Sequence, residues 1–236
     1  MKLLSVETSS KLCGVSIIED EKIIDVLEKD NGLTHSESLM PLISNILEKN
    51  NLKISDFDGF ICDIGPGSFT GIRIGVATVK AFVDSSSNAT FTGVSSLEAL
   101  AHNSSDNGLI CSIIDANNDN CYFALYNLEN KTYKEIIEPI ASTYSEMLNK
   151  LSKYSNTNIT FIGDGAAYYK NNIIDNFSKA KFLSENDNII NTSKLALAGF
   201  NRIVSNNKLE LSPMYLKKPQ AQRQLEEKEK KQNTNN

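Results

Sequence analysis

Apolar positions along the chain fall first in short runs, then at helical spacing, then in short runs again. Lys2-Leu-Leu-Ser-Val-Glu7 predicts a buried strand, Leu12 to Ile18 a second and Ile23 to Leu27 a third, the last two joined by the charged turn Glu19-Asp20-Glu21-Lys22. Turns this short imply antiparallel hairpins. From His35 to Asn50 the period changes. Leu39, Leu42, Ile43, Ile46 and Leu47 recur at i, i+3, i+4, i+7 and i+8, one apolar face of a helix. Met40 extends that stripe sideways, and Pro41 predicts a late start or a kink.

The next apolar run, Gly59 to Ile64, predicts a strand; a glycine-rich turn, a helix over 70–84 and a strand over Thr90-Phe-Thr-Gly-Val94 follow. This β-α-β order predicts parallel strands with a right-handed crossover. After a linker, Asn103-Ser-Ser-Asp-Asn-Gly108, the order returns. Strands are expected at Leu109 to Asp115, Cys121 to Tyr126 and Thr132 to Ile137, then a helix near Thr143 to Leu151 and a strand at Ile159 to Ile162. Ser193 to Val204 predicts a last helix that packs back on the first half. The tail, Gln220 to Asn236, is nearly free of apolar residues and predicts disorder.

On a wheel the helix over 70–84 has two apolar faces. Ile72, Val76, Val79 and Val83 form the one expected to lie on the sheet; Ile74, Ala77 and Ala81 form a narrower one nearly opposite. A surface helix normally has a polar back. Met40, Ile74, Ala77 and Ala81 are therefore the candidate contact residues for a partner, in a four-helix arrangement with the helix over 35–50. Burial under the chain's own second half is the alternative.

The strand-to-helix turn reads Gly65-Pro66-Gly67-Ser68-Phe69-Thr70-Gly71-Ile72-Arg73-Ile74-Gly75. Gly65 and Gly67 are expected to use positive φ around the fixed φ of Pro66, with Ser68 and Thr70 as candidate helix caps. Such a turn can bind an anion at the helix N-terminus. It matches neither the Walker loop, lacking Lys-Ser/Thr after Gly71, nor the dinucleotide fingerprint, being one residue too long. A tight connection with no ligand explains it equally well.

This stretch resembles the signature of the TsaB (YeaZ) family, a bacterial subunit of the machinery that makes threonylcarbamoyladenosine in tRNA. Leu4-Ser-Val-Glu-Thr-Ser9, His35-Ser-Glu-Ser-Leu-Met-Pro-Leu42, Gly93-Val-Ser-Ser-Leu97, Ile162-Gly-Asp-Gly165 and the closing Pro213-Met-Tyr-Leu-Lys217 agree in position. The resemblance covers residues 1 to 216. It implies an α/β fold of the ribonuclease-H-like, actin-Hsp70-sugar kinase (ASKHA) type with two similar mixed-sheet subdomains. These are expected at 1–102 with the C-terminal helix 192–216, and at 103–191, with 217–236 a disordered tail. It further implies a non-catalytic subunit that dimerises with a TsaD-type transferase, which modifies adenosine 37 of tRNA, with a TsaE-type ATPase as third member. tRNA is then met indirectly, ATP or ADP through the complex, and a homodimer forms when the chain is alone.

In that superfamily the loop after strand one contacts phosphate. Glu7, Ser9 and Ser10 are therefore candidate nucleotide-binding residues, joined from the second half by Gly163, Asp164 and Gly165. The superfamily usually has Asp where this chain has Glu7. The turn after Asp115 reads Ala-Asn-Asn-Asp-Asn120, without the basic residue and Gly-Glu usual in TsaB relatives. A small-molecule phosphotransferase is the alternative reading. It needs convergent carboxylates, and Glu7, Asp63, Asp115 and Asp164 each follow an apolar run. TsaD carries paired histidines four apart that hold a metal. Here His35 and His102 are far apart, so neither a metal site nor peptidase chemistry is expected.

Composition narrows the picture further. In 236 residues, 24 Lys plus Arg stand against 29 Asp plus Glu, a net charge of −5, unlike a stand-alone nucleic-acid binder. Cys13, Cys62, Cys111 and Cys121 have no C-x-x-C spacing and read as reduced structural thiols. With no signal peptide and no spanning run, the expected location is cytoplasmic.

Overall fold

The structure is a computed structural model that describes residues 1–30 and 34–217. The expected tail beyond Lys217 lies outside the described residues. Side-chain alternation in the first strand, β1 (Lys2–Glu7), sets the layering. Leu4 and Val6 point into one apolar cluster and Leu3 into another. The next strands, β2 (Cys13–Glu19) and β3 (Lys22–Lys29), complete an antiparallel meander. Asp20 and Glu21 both take positive φ in the two-residue turn between them, the backbone that suits a tight hairpin.

Helix α1 (His35–Lys49) buries Leu39, Leu42, Ile43 and Ile46, the stripe read from the sequence. It starts at His35, with the Thr34 N–H bonded to the Glu37 carboxylate at 3.1 Å, and Pro41 sits inside it on the exposed side. Strands β4 (Gly59–Asp63) and β5 (Thr90–Val94) flank α2 (Phe69–Ser85) and lie parallel to β1 in the order β3-β2-β1-β4-β5. Helices α1 and α2 cover one face of this sheet, packing on Leu4, Val6, Val15, Ile17 and Phe60.

A short helix, α3 (Ser96–Ala101), leads to the second half. Its strands are β6 (Gly108–Asp115), β7 (Asn120–Glu129), β8 (Thr132–Thr143), β9 (Ile159–Ile162) and β10 (Ala180–Phe182). Their order, β10-β9-β6-β7-β8, and their pairing directions repeat the first sheet. Even the hairpin turn recurs, with Asn130 and Lys131 at positive φ. Helix α4 (Tyr144–Leu151) and the short α5 (Asp164–Tyr168) and α6 (Lys170–Asn176) bring Met147, Ala166 and Ile173 onto its outer face.

Helix α7 (Thr192–Val204) returns to the first sheet, as its pattern predicts. With α3 it fills the layer between the sheets, where Leu3, Ile18 and Ile61 meet Leu97, Leu195, Ala198, Ile110 and Ala124. The duplicated mixed sheets and this element order make the two-part ASKHA architecture. The periodicity shows neither α3, α5, α6 nor β10, and it stops β8 at Ile137 although the strand runs on to Thr143.

Candidate functional site

Three glycines of the 65–75 stretch face one short segment, Thr8-Ser9. Strand β1 ends at Glu7, and Thr8 and Ser9 then cross the start of α2. A Cβ at Gly67 would come closer than 3.0 Å to the Ser9 carbonyl oxygen, one at Gly71 to the Thr8 carbonyl oxygen, and one at Gly75 to Thr8 Oγ1. Real Cβ atoms do not approach so near. The spacing of four therefore seats Thr8 and Ser9 against a turn and helix start bare of side chains. Two hydrogen bonds fix the contact: Ser68 N–H to the Ser9 carbonyl at 2.6 Å and Thr8 Oγ–H to the Gly71 carbonyl at 2.8 Å.

Two expectations for this turn are corrected. Gly65 has φ of 97°, but Gly67 is absent from the positive-φ residues and is needed for close approach instead. Ser68 alone caps α2, its Oγ accepting the Gly71 N–H at 3.1 Å; Thr70 lies inside the first turn, because the helix begins at Phe69. The Gly65–Pro66 bond is cis.

Beneath the turn, two carboxylates are fully buried. Glu7 accepts N–H bonds from Ser9 at 2.9 Å and Ser10 at 3.0 Å. Asp63 accepts the Gly65 N–H at 2.7 Å and the Ser96 hydroxyl at 2.6 Å. Ser9 Oγ lies between them, 3.1 Å from Glu7 and 3.0 Å from Asp63. Burial pushes both carboxyls above the usual range, Asp63 well above it, with the nearby Glu7 charge adding to the effect at Asp63. The Asp63–Ser96 link was not legible locally, since it joins the ends of β4 and β5.

Above the turn, Phe69 and Tyr215 stack with centroids 4.4 Å apart. The Arg73 guanidinium lies 4.9 Å from the Phe69 ring, and its Nε–H donates to Tyr215 Oη at 2.6 Å. The Met214 N–H bonds the Ile64 carbonyl at 2.7 Å. The closing segment is thereby tied down over the turn, and the cavity left among Pro66, Gly67, Phe69, Tyr122 and Tyr215 measures 10 Å³, about one water centre.

The second candidate set sits in the other half. Gly163, with φ of 107°, follows β9, and Asp164 opens α5. The Asp164 carboxylate accepts N–H bonds from Asp115 at 2.9 Å and Gly165 at 2.7 Å. No hydrogen bond among the described residues joins Glu7, Ser9 or Ser10 to Gly163, Asp164 or Gly165.

Comparisons with known proteins agree with this architecture. A family model described as TsaD, tRNA N6-adenosine threonylcarbamoyltransferase, matches residues 29–233. The Bacillus subtilis tRNA threonylcarbamoyladenosine biosynthesis protein TsaB is 28% identical over 176 residues, 74% of this chain and 76% of the relative. The Haemophilus influenzae protein of the same description is 24% identical over 233 residues, 92% of this chain and 94% of the relative. The chain belongs to this family, as one of its TsaB (YeaZ) members. The structure of YeaZ from Pseudomonas aeruginosa superposes with a TM-score of 0.72 at 18% identity, over 91% of this chain and 99% of that one. A Pseudomonas aeruginosa protein described as similar to peptidase YEAZ gives 0.73 at 20% identity, over 92% and 99%. At these identities the superpositions bear on fold alone.

In this TsaB-family chain the remaining candidates lie on the outer side of α1 and α2, which are neighbours on the first sheet. Met40 is 52% exposed, and Ala77 and Ala81 are exposed as well. Ile74 is half-buried and packs against the core under the two helices. The second half does not cover this face. His35 Nε2 lies 2.9 Å from the Ser10 carbonyl. His102 is buried, stacked on Tyr133 at 3.7 Å and pushed down to about 4 by loss of solvent. The four cysteines are free and buried. No described helix is long and apolar enough to cross a membrane.

Proposed function

We propose that this chain is a partner subunit in tRNA N6-threonylcarbamoyladenosine synthesis, supporting a TsaD-type transferase that acts on adenosine 37. The observation that carries the reading is the relation to TsaB proteins along almost the whole chain, joined to what the chain leaves outward. The chemistry-bearing side chains beside the signature turn face inward and bond to one another. The apolar residues next to them, Met40, Ala77 and Ala81, face out on two adjoining helices. That pattern supports a docking surface more than a reaction centre. Both Glu7 and Asp63, which a phosphotransferase would need within reach of substrate, are buried around Ser9.

In this reading α1 and α2 pair with the corresponding helices of the transferase, or of a second copy when the chain is alone, with Ile74 at the edge of the contact. A TsaE-type ATPase completes the assembly, and ATP or ADP enters through it. Any direct nucleotide contact would fall to Ser10 or to the Gly163-Asp164-Gly165 turn. The divisions are 1–102 with 192–216, and 103–191, and the setting is the cytoplasm. The test is rescue of a bacterial strain depleted of its own TsaB, read as threonylcarbamoyladenosine in bulk tRNA, together with co-purification of the TsaD-type subunit. Rescue and co-purification by wild type, and loss of both in Ala77→Arg with the fold intact, support it. Rescue without association would overturn the partner role.

A further inference from the structure

We propose that the Glu7–Ser9–Asp63–Ser96 cluster holds one extra proton, on Asp63 Oδ2, and that this proton locks the first-strand loop against α2. The cluster has fewer donors than contacts. Four oxygen–oxygen contacts lie within hydrogen-bond distance: Ser9 Oγ to Glu7 Oε1, Ser9 Oγ to Asp63 Oδ2, Ser96 Oγ to Ser9 Oγ, and Ser96 Oγ to Asp63 Oδ1. The two hydroxyls supply two protons. The Ser96 proton goes to Asp63 Oδ1 at 2.6 Å, which leaves the longer Ser96–Ser9 contact at 3.0 Å without a proton of its own. The Ser9 proton can serve one carboxylate only. Without a third proton, Ser9 Oγ would face one buried carboxylate oxygen lone pair to lone pair, in a site screened from water.

The donors also say where the third proton sits. Both Glu7 oxygens already accept a backbone N–H, Oε2 from Ser9 and Oε1 from Ser10. On Asp63 the Gly65 N–H and the Ser96 hydroxyl both converge on Oδ1, leaving Ser9 Oγ as the one partner of Oδ2 among the described residues. A proton on Oδ2 gives a directed chain: Asp63 Oδ2–H to Ser9 Oγ, and Ser9 Oγ–H to Glu7 Oε1. Glu7 stays ionised and Asp63 neutral.

The groups facing the pair leave this balance in place. From β2 comes Cys13, with its thiol pushed up to about 11; from β4, Cys62, with its thiol held well above the usual range; both stay uncharged. Lys29 of β3 acts on Cys13. From α3 comes Ser96, from α2 the Gly71 carbonyl and Gly75 beside Thr8, and from α1 His35, which meets the Ser10 carbonyl. No ion pair among the described residues involves either carboxylate. Loss of the proton puts two charges on one buried hydroxyl. Ser9 is also the residue whose carbonyl receives Ser68, so the seat of α2 loosens with it.

The sign follows from linkage. Both carboxyls are raised in the folded chain, so their stability contribution is full below the ordinary carboxylate range and is lost as pH rises through the raised Asp63 value. The experiment compares thermal unfolding of the full chain, wild type, Asp63→Asn and Glu7→Gln, from pH 5 to 9. An Asn at 63 places N–H where the proton is inferred, so its Tm should stay within about 2 °C of wild type at neutral pH, and the decline toward alkaline pH should flatten. A Gln at 7 turns an N–H toward backbone donors and should lower Tm by about 5 °C or more at every pH. The reverse ranking, equal losses, or an unchanged pH slope in Asp63→Asn would overturn the proposal. Infrared spectroscopy of the wild type decides even if a variant fails to fold. A protonated-carboxyl C=O band at pH 7 in the wild type, absent from Asp63→Asn, is expected. Its absence from the wild type refutes the inference.

Discussion

The two halves share strand order, pairing directions and hairpin turns, yet they treat the loop after their first strand in opposite ways. In the first half Thr8 and Ser9 are buried under α2, the glycines of that helix receive their backbone, and Glu7 turns back to cap the loop. In the second half Asn117, Asn118 and Asp119 are exposed, and all three take positive φ. The helical region that answers α2 there is divided into α5 and α6. The same topology thus supports a closed junction and an open one. What separates them is local: helix residues without side chains on one side, and residues that tolerate left-handed backbone on the other.

The closed junction is the more fragile, and the largest effect should come from its glycines. Gly71→Ala drives a Cβ into the Thr8 carbonyl and should cost about 3 kcal/mol or more. Asn118→Ala in the open loop, where φ is 53°, should cost about 1 kcal/mol. Urea unfolding measures both, and equal losses would erase the distinction between the loops. The layer between the sheets comes next. Arg202 of α7 bonds Glu98 of α3 through Nε and Nη2, at 2.8 to 2.9 Å, in a buried setting. Arg202→Met strands that carboxylate and should cost about 3 kcal/mol near neutral pH. Burial already holds Glu98 above its ordinary value, so the deficit should shrink as pH falls and the carboxyl protonates.

A smaller effect separates the outer faces. Under the proposed docking, Ala77→Arg on α2 should weaken association with the proposed transferase partner by about tenfold or more, while Ala167→Arg, exposed on α5, should leave it unchanged. Light scattering with circular dichroism checks both, and equal effects would remove the first half's claim to the interface. Smallest of all, Lys49→Met breaks the 2.8 Å pair with Asp25 at an exposed lysine and should shift stability by about 1 kcal/mol or less in thermal melts.

Much of the scaffold is legible in the sequence, because period is a local property. Leu39, Leu42, Ile43 and Ile46 announce α1, and Leu4 and Val6 alternate with Leu3 as a strand covered on both faces must. Helix α3 stays hidden because it is buried all round, and a helix without a polar side has no period to read. Strand β10 is three residues long, too short to alternate. The glycine turn is legible as a turn, but its purpose is not. Gly67 is required by a carbonyl contributed from the end of β1, which no window around Gly67 contains. Ser9, Asp63 and Ser96 come from three separate strand ends, so only the fold brings their oxygens together. The outer face of α2 falls between these cases: Ala77 and Ala81 are exposed as the wheel suggests, while Ile74 is half-buried against the core under the two helices.

The return of α7 has a consequence for how the polypeptide is made. One face of the first sheet rests on α1 and α2, encoded beside it, but the other rests on Leu195, Ala196 and Ala198. The rim of β5 is finished later still, when Leu209 bridges Gly93 and Met214 reaches Ile64. During translation the strands that leave the ribosome first must wait for residues that leave near the end. The second sheet and the helices on its outer face are contiguous and can close sooner. The usual vectorial order, amino-terminal unit first, is thereby inverted. Released fragments ending before residue 192 should present an apolar sheet face to chaperones, whereas the full chain should not.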